Sequence, residues 1–234
     1  MSQKDIKNTY EKMAQTYDQL IDTKPYNAYY DRPNTLALLG AVKGLSILDA
    51  GCGPGKYAQM LLDKGAQVTS FDHSEQMVQL ATARNKGRGC FFVHNMLEPL
   101  EMLETASFDK VLCALALHYV EDWNPVLQEF ARVLKPQGQL VLSIGHPFCD
   151  YQFSPSNNYF ELEYFTTYWK SFDQRVSSYR RSLQDAIMPL LNNGFYLEEL
   201  LEYQPIAAFE AINPETYQQL QQFPAFMGMR AVLK

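Results

Sequence analysis

The chain has 234 residues, 47% of them hydrophobic and 20% charged, with 15 tyrosines, 14 phenylalanines and a formal net charge of −6. This is a globular composition with enough length for one substantial core, and an acidic balance without a run of Lys and Arg lacks the footprint of a nucleic-acid binder or of an anionic-membrane partner. Four cysteines (Cys52, Cys90, Cys113, Cys149) without C-x-x-C or zinc spacing, no apolar leader in residues 1–20 and no run of 18 apolar residues give the expectation of a cytoplasmic protein with reduced thiols, no metal and no membrane span.

In chain order, Ile6, Tyr10, Met13, Tyr17 and Leu20 recur at 4-3-4-3 spacing, which predicts a first helix with one apolar face. "LSILDA" (residues 45–50) reads as a buried strand. A helix with Ala58, Leu61 and Leu62 inward follows and stops at Gly65. "QVTSFD" (67–72) is a second strand, after which Ser74 caps a helix that has Glu75 in its first turn. "CFFVH" (90–94) is a third strand and "FDKVLCALAL" (108–117) holds a fourth. Asn124 and Pro125 open the next helix as cap and first residue, and Val126, Leu127, Phe130, Ala131, Val133 and Leu134 form its apolar face. "KPQG" stops it before a fifth strand, "QLVLSIG" (139–145). A helix drawn over 182–193 contains Pro189, which predicts a kink or a later start. Two C-terminal strands, in "FYLEELLEYQ" and "FMGMRAVLK", flank a short helix at 214–222. Alternating strands and helices predict parallel pairing with right-handed crossovers, and apolar strands fit a sheet covered on both faces.

"ILDAGCGPGKYAQML" (47–61) sets Gly51, Gly53 and Gly55 between the first strand and its helix, at the sheet edge where open parallel sheets bind ligands. Glycines there let a ligand approach main-chain N–H groups at a helix N-terminus. A dinucleotide loop needs glycine at position 56, which is Lys56. A phosphate loop needs glycine at Ala50 and a hydroxyl at Tyr57, where it would have to hold magnesium. Asp49-x-Gly51-x-Gly53-x-Gly55 remains.

"LDAGCGPGK" resembles the first motif of the class I S-adenosylmethionine-dependent methyltransferases. "SFDHSEQM", "VHNMLEPL", "FDKVLCALALHYVEDW" and "EFARVLKPQGQLVLSIGHPF" continue the resemblance in order over roughly residues 47–145, with a looser echo in "YRRSLQDAIMPLLNNGF". The resemblance implies S-adenosyl-L-methionine as cofactor, with S-adenosyl-L-homocysteine as product. It implies a Rossmann-like α/β fold: a doubly wound, mostly parallel seven-stranded sheet with an antiparallel edge strand. It also implies roles. Gly51, Cys52, Gly53 and Gly55 meet the methionine moiety, and Asp49 helps orient that site. Asp72 accepts both ribose hydroxyls. His73 touches adenine or solvent. Asn95, where the family often has an acid, accepts from the adenine amino group, and Met96 lies against the ring. The main chain near Cys113 receives the ammonium group.

Residues 148–179 carry eleven aromatic side chains and follow the fifth strand on the cofactor side. They are expected to form an aromatic-rich helical cap with the first helix, three or four rings reaching a pocket for a flat or apolar small substrate. Tyr17 would close over the methionine part of the cofactor. His118 and His146, after strands four and five, are the candidate bases; His94 receives no role. One domain is expected, with residues 1–35 as N-terminal cap, 40–146 as cofactor core, 147–180 as substrate cap and 181–234 as sheet edge. The expected activity is methyl transfer to an oxygen, nitrogen or carbon of a small molecule. The alternatives are an RNA base methyltransferase, against which the charge argues, and a protein that binds the cofactor only to sense it or to scaffold a partner.

Overall fold

The computed structural model describes residues 3–234, with side chains from Ile6 onward. Seven strands form one sheet: β1 (Ser46–Ala50), β2 (Gln67–Asp72), β3 (Cys90–Val93), β4 (Phe108–Ala114), β5 (Leu134–Gly145), β8 (Phe195–Glu202) and β9 (Phe226–Leu233). Their order is β3-β2-β1-β4-β5-β9-β8. The first five pair in parallel, and β9 runs antiparallel to both β5 and β8, which supplies the antiparallel strand expected at this end of the sheet.

Neighbouring residues on each strand point to opposite faces, so the sheet separates two cores. Leu48, Val111 and Leu140 face α5 (Asn124–Val133) and α7 (Leu183–Asn192), where Leu127, Phe130, Ala186 and Leu190 are buried. Ile47, Leu112 and Val141 face α2 (Arg32–Leu39), α3 (Lys56–Asp63) and α9 (Pro214–Gln222) through Leu38, Leu39, Leu61 and Leu220. The strand order reverses between β1 and β4, and the crevice beyond their carboxyl ends is the ligand position of such sheets.

Two local expectations change. Asn124 is the first residue of α5 rather than its cap; the Asp122 carboxylate accepts its backbone N–H at 2.9 Å one step earlier. The helix over Pro189 neither starts late nor breaks. Ser182 Oγ caps it by accepting from Asp185 N, and α7 runs through Pro189 to Asn192.

The larger change is in the cap. Its helical part is α1 (Gln3–Leu20). The aromatic insertion instead forms a second sheet, the hairpin β6 (Glu163–Trp169) and β7 (Gln174–Arg180), entered through short turns that include α6 (Pro147–Asp150). "EYFTTYW" is rich in aromatic and β-branched side chains, which favour a pleated surface over a helix. Arg180 anchors the insertion. Its buried guanidinium donates to the carbonyls of Asn158, Tyr159 and Glu161 and pairs with Glu163, so a loop without regular structure keeps its polar backbone satisfied.

Candidate active site

The crevice is lined by the loop after β1 (Gly51, Cys52, Gly53), the end of β2 (Asp72, His73), the segment after β3 (Asn95, Met96) and the turn after β4 (Ala114, Leu115, Ala116). α1 closes it from above with Ile6, Lys7, Tyr10 and Tyr17. Gly51 has φ +76°, and a Cβ there would lie 2.6 Å from the Ala116 Cβ, so only glycine fits. Gly53, at φ +53°, meets nothing within 4 Å on its Cβ side, which leaves bare main chain facing the crevice. Gly55 differs: it packs against Ala81 and Asn85 of α4 (Glu75–Arg84) and does not line the crevice. Its absent side chain serves helix packing.

Asp72 is aimed by the backbone. Gly53 N–H donates to Oδ2 at 2.8 Å and Ser74 N–H to Oδ1 at 2.9 Å, while each oxygen keeps capacity for another donor. Burial raises its pKa, and those two N–H bonds oppose the rise. Asp49 is buried beneath the glycine loop rather than on the crevice wall, and its Oδ2 has no hydrogen-bond partner among the described residues. Burial first, and then the nearby Asp72 charge, push its carboxyl up to about 7. A buried, unsatisfied carboxylate costs a few kcal/mol, which a cationic ligand group would offset. Asn95 faces the crevice, but its Oδ1 already accepts from Leu97 N at 3.2 Å, so the side chain has one acceptor position left. His73 also lines the crevice; burial, then Lys7, lower its pKa. Cys113 is wholly buried in the core and outside the lining, which begins one residue later at Ala114.

Two crevice residues escaped the sequence analysis. Asp31 ends a π-helical turn (Asn27–Asp31) and accepts from Tyr57 at 2.6 Å, Ser143 at 2.7 Å and Thr35 at 3.2 Å. Arg32 is buried, donates through Nη2 to the Ile21 carbonyl at 2.7 Å, and leaves Nε without a partner. Their only signal was an adjacent charged pair inside a run that folds as helix and buries them.

A second cavity of about 470 Å³ lies beneath the hairpin. Tyr10, Tyr17, Asn27, Leu115 and Tyr119 line both it and the crevice, so the two spaces meet at those residues. Of the insertion's eleven rings, Phe153, Phe165 and Trp169 reach it. His118 lines it, with Nδ1 buried and unpartnered; burial, and then the Arg181 charge, lower its pKa to about 4. His146 lines neither space. Its Nδ1 accepts from Phe148 N at 3.3 Å, capping α6, and its Nε2 meets Glu202 at 2.9 Å, so both nitrogens have structural partners. The expectation of His146 as a base is therefore corrected: the chain turns there, and the ring caps the turn instead of entering the cleft.

The residue that takes its place was not foreseen. Asp150, four residues on at the end of α6, lines the cavity. A Cβ on Gly145 would lie 2.3 Å from its Oδ2, so the bare backbone at the end of β5 is what seats this carboxylate. Burial raises it to about 7, with the Arg180 charge opposing. On the facing side, Lys24 Nζ sits 4.3 Å from the Phe172 ring centroid, 4.6 Å from Trp169 and 5.7 Å from Tyr17. Each such contact contributes about 0.5–2 kcal/mol, whereas burying an ammonium costs several. Its pKa accordingly falls to about 8 through burial.

Among the described residues no group of three or more His, Cys, Asp or Glu forms a metal site, and no helix is long and apolar enough to cross a membrane.

A family model described as a methyltransferase domain matches residues 48–142. An S-adenosylmethionine-dependent methyltransferase from Mesorhizobium loti superposes with a TM-score of 0.71 and 25% identity, over 91% of this chain and 99% of that one. A crystal structure from Listeria monocytogenes, assigned to the same class, shares the fold at a TM-score of 0.76 and 22% identity, over 87% and 96% of the two chains. A ubiquinone biosynthesis O-methyltransferase from Idiomarina loihiensis is 35% identical over 43% of this chain and 42% of its own length. The chain is thus matched to less than half of that relative.

Proposed function

This chain belongs to the class I S-adenosylmethionine-dependent methyltransferase superfamily, whose cofactor is S-adenosylmethionine and whose by-product is S-adenosylhomocysteine, and on that premise we propose that it methylates a small molecule held in the cavity under the hairpin. One observation carries the choice of a small acceptor: an aromatic-lined cavity shares five lining residues with the cofactor crevice. That volume lies in the range of small-molecule pockets. The net charge of −6 also disfavours a nucleic-acid substrate. A sensor or scaffold would have no use for an acceptor cavity next to the cofactor. The Idiomarina relative, named an O-methyltransferase, is compatible with a small acceptor.

The crevice fits the cofactor group by group. Asp72 is positioned for two vicinal hydroxyls, and Phe71 and Met96 offer an apolar seat for the base. Gly51 and Gly53 present main chain to the amino-acid tail. Arg32 is the buried cation available to its carboxylate, and Asp49, beneath the loop with an unsatisfied Oδ2, puts negative charge behind the main chain that would meet its ammonium. When bound, the cofactor supplies a methyl group on a sulfonium, a leaving group that needs no activation by the protein.

The chain's own contribution is placement and proton removal. Tyr10, Tyr17 and Tyr119 stand where the two spaces meet, and Tyr10 and Tyr119 share a 2.5 Å hydrogen bond that ties α1 to the turn after β4. These rings exclude water and hold the acceptor in line, and such alignment can supply several kcal/mol of the barrier reduction. A proton leaving the acceptor needs a base matched to neutral pH. Asp150, near 7, is better matched than His118, near 4. We assign Asp150 the role of base, with neutral His118 as a hydrogen-bond partner for the acceptor.

Calorimetry with S-adenosylmethionine and S-adenosylhomocysteine tests the cofactor assignment. Both are expected to bind, and Asp72→Ala is expected to weaken both by about 1–3 kcal/mol, the scale of a lost charge-assisted hydrogen bond. Unchanged affinity in the variant would place the ribose elsewhere.

A further inference from the structure

Lys24 is a cation that the chain has walled in without an anion. Among the described residues no carboxylate pairs with it and no carbonyl accepts from it; its neighbours are the three rings of Tyr17, Trp169 and Phe172. Tyr17 and Phe172 stack at 5.4 Å, which joins α1 to the tip of the hairpin and fixes two walls around the ammonium. Pro25 follows directly and restricts the backbone of Lys24 to extended conformations, so the side chain leaves from a stiff point. The group is half-buried, and it lines the acceptor cavity together with the hydroxyl-bearing Ser171 and Ser178 of the hairpin.

Among the described residues, Lys24 is the only Lys or Arg in that cavity's lining. A single ammonium among rings matches a single negative charge. Any further negative charge would be left uncompensated, because the other titratable groups facing the cavity are Asp150, which is acidic, His118, which burial keeps neutral, the Cys149 thiol and the phenols of Tyr10, Tyr17, Tyr26 and Tyr119, which burial holds protonated. The flat apolar walls suit a planar or unsaturated body attached to the anion.

We propose that Lys24 is the specificity-determining residue for the acceptor: the substrate is a small organic acid whose carboxylate docks on Lys24 while its nucleophile reaches the cofactor side at Tyr17, Leu115 and Tyr119. The inference rests on the cavity's being the acceptor site. In this reading the carboxylate is the handle, and the methylated atom is a separate group served by Asp150, which sits over Gly145 at the end of β5. Strand β5 reaches the junction directly there, because Leu115 N–H donates to the Ser143 carbonyl at 2.9 Å.

The test is a set of matched probes on protein saturated with S-adenosylhomocysteine. Benzoate and trans-cinnamate are compared with benzamide and trans-cinnamamide, and phenyl phosphate is included as a dianion. At pH 7 the acids are expected to bind the wild type at least tenfold more tightly than their amides. Lys24→Met is expected to bring acid and amide within about twofold of each other and leave the affinity for S-adenosylhomocysteine within twofold. Lys24→Arg should keep most of the preference. If methionine at position 24 unfolds the cap, Lys24→Gln serves the same comparison. Amides binding as tightly as acids, discrimination surviving in Lys24→Met, or no binding of any probe would overturn the proposal. Tighter binding of phenyl phosphate than of benzoate would overturn the monoanion. Failure of the wild type to bind S-adenosylhomocysteine would instead strike the cofactor assignment, and this proposal would fall with it.

Discussion

Asp49 is a buried carboxyl whose Oδ2 finds no hydrogen-bond partner among the described residues. It lies in the first recognised motif, so its chemistry was visible early; its burial and its unfilled Oδ2 were not. An ordinary aspartate titrates near 4, and this one is held at about 7. Between those values the folded chain binds a proton that the unfolded chain has released. Stability without ligand therefore declines as pH rises through that window and levels off above about 7. Asp49→Asn removes this share of the decline. Urea unfolding at pH 5 and pH 8 should show the wild type losing more stability than the variant, by roughly 1–3 kcal/mol. Equal losses would mean that Asp49 is ionised without penalty, and the site would hold no unmet anion. Gly55 and His146 teach the opposite lesson at the same scale. Both stand at plausible motif positions, yet one packs on α4 and the other caps α6. A position in a motif says which side chain is present, and the neighbours say what is left for it to do.

Among the elements, α1 behaves as a lid. Its 4-3-4-3 apolar stripe predicts a capping helix with one apolar face, and only Met13 of that stripe is fully buried, beside Ala14. Ile6, Tyr10 and Tyr17 turn toward the cofactor crevice. The polar ties that hold α1 down are partly exposed: Arg84 of α4 pairs with Asp18 and Asp22, Lys56 pairs with Asp22, and Glu11 accepts from Glu75 N at 2.7 Å. Exposed pairs of this kind contribute about 0–1 kcal/mol each, so α1 opens more readily than the sheet does. A bound nucleoside would fill the gap beneath the stripe and hold the lid shut. Amide hydrogen exchange over residues 6–20 is expected to slow at least tenfold when S-adenosylhomocysteine is added. Exchange there that ignores the ligand would remove α1 from the site. The hairpin stands where a helical cap is expected. Aromatic content announced a cap, but Thr166, Thr167 and Val176 carried the strand signal, and the pairing of residues 163–169 with 174–180 becomes visible only once both are placed.

At the scale of the whole molecule, ligand binding should appear as global stability. A ligand that binds only the folded chain adds about 2.7 kcal/mol at one hundred times its Kd. For a domain of this size that corresponds to a rise in Tm of roughly 5–10 °C, measurable by calorimetry with S-adenosylhomocysteine. A rise confined to a fraction of the protein, or none at saturation, would show that the crevice is not open to the ligand in solution.

The linear chain by itself determined the strand–helix alternation, the parallel sheet, the glycine loop and the acid at the end of β2. These follow from apolar periodicity and from backbone freedom, both of which are local properties written into consecutive residues. Tertiary structure alone decided which polar groups end up without partners. Arg32, Lys24 and Asp150 are separated by up to 126 positions in the chain, and nothing in their flanking residues marks them as lining one pair of adjoining spaces. Whether a buried charge is already satisfied depends on atoms contributed from elsewhere in the fold, and so chemistry at this site could be read only after the walls had closed around it.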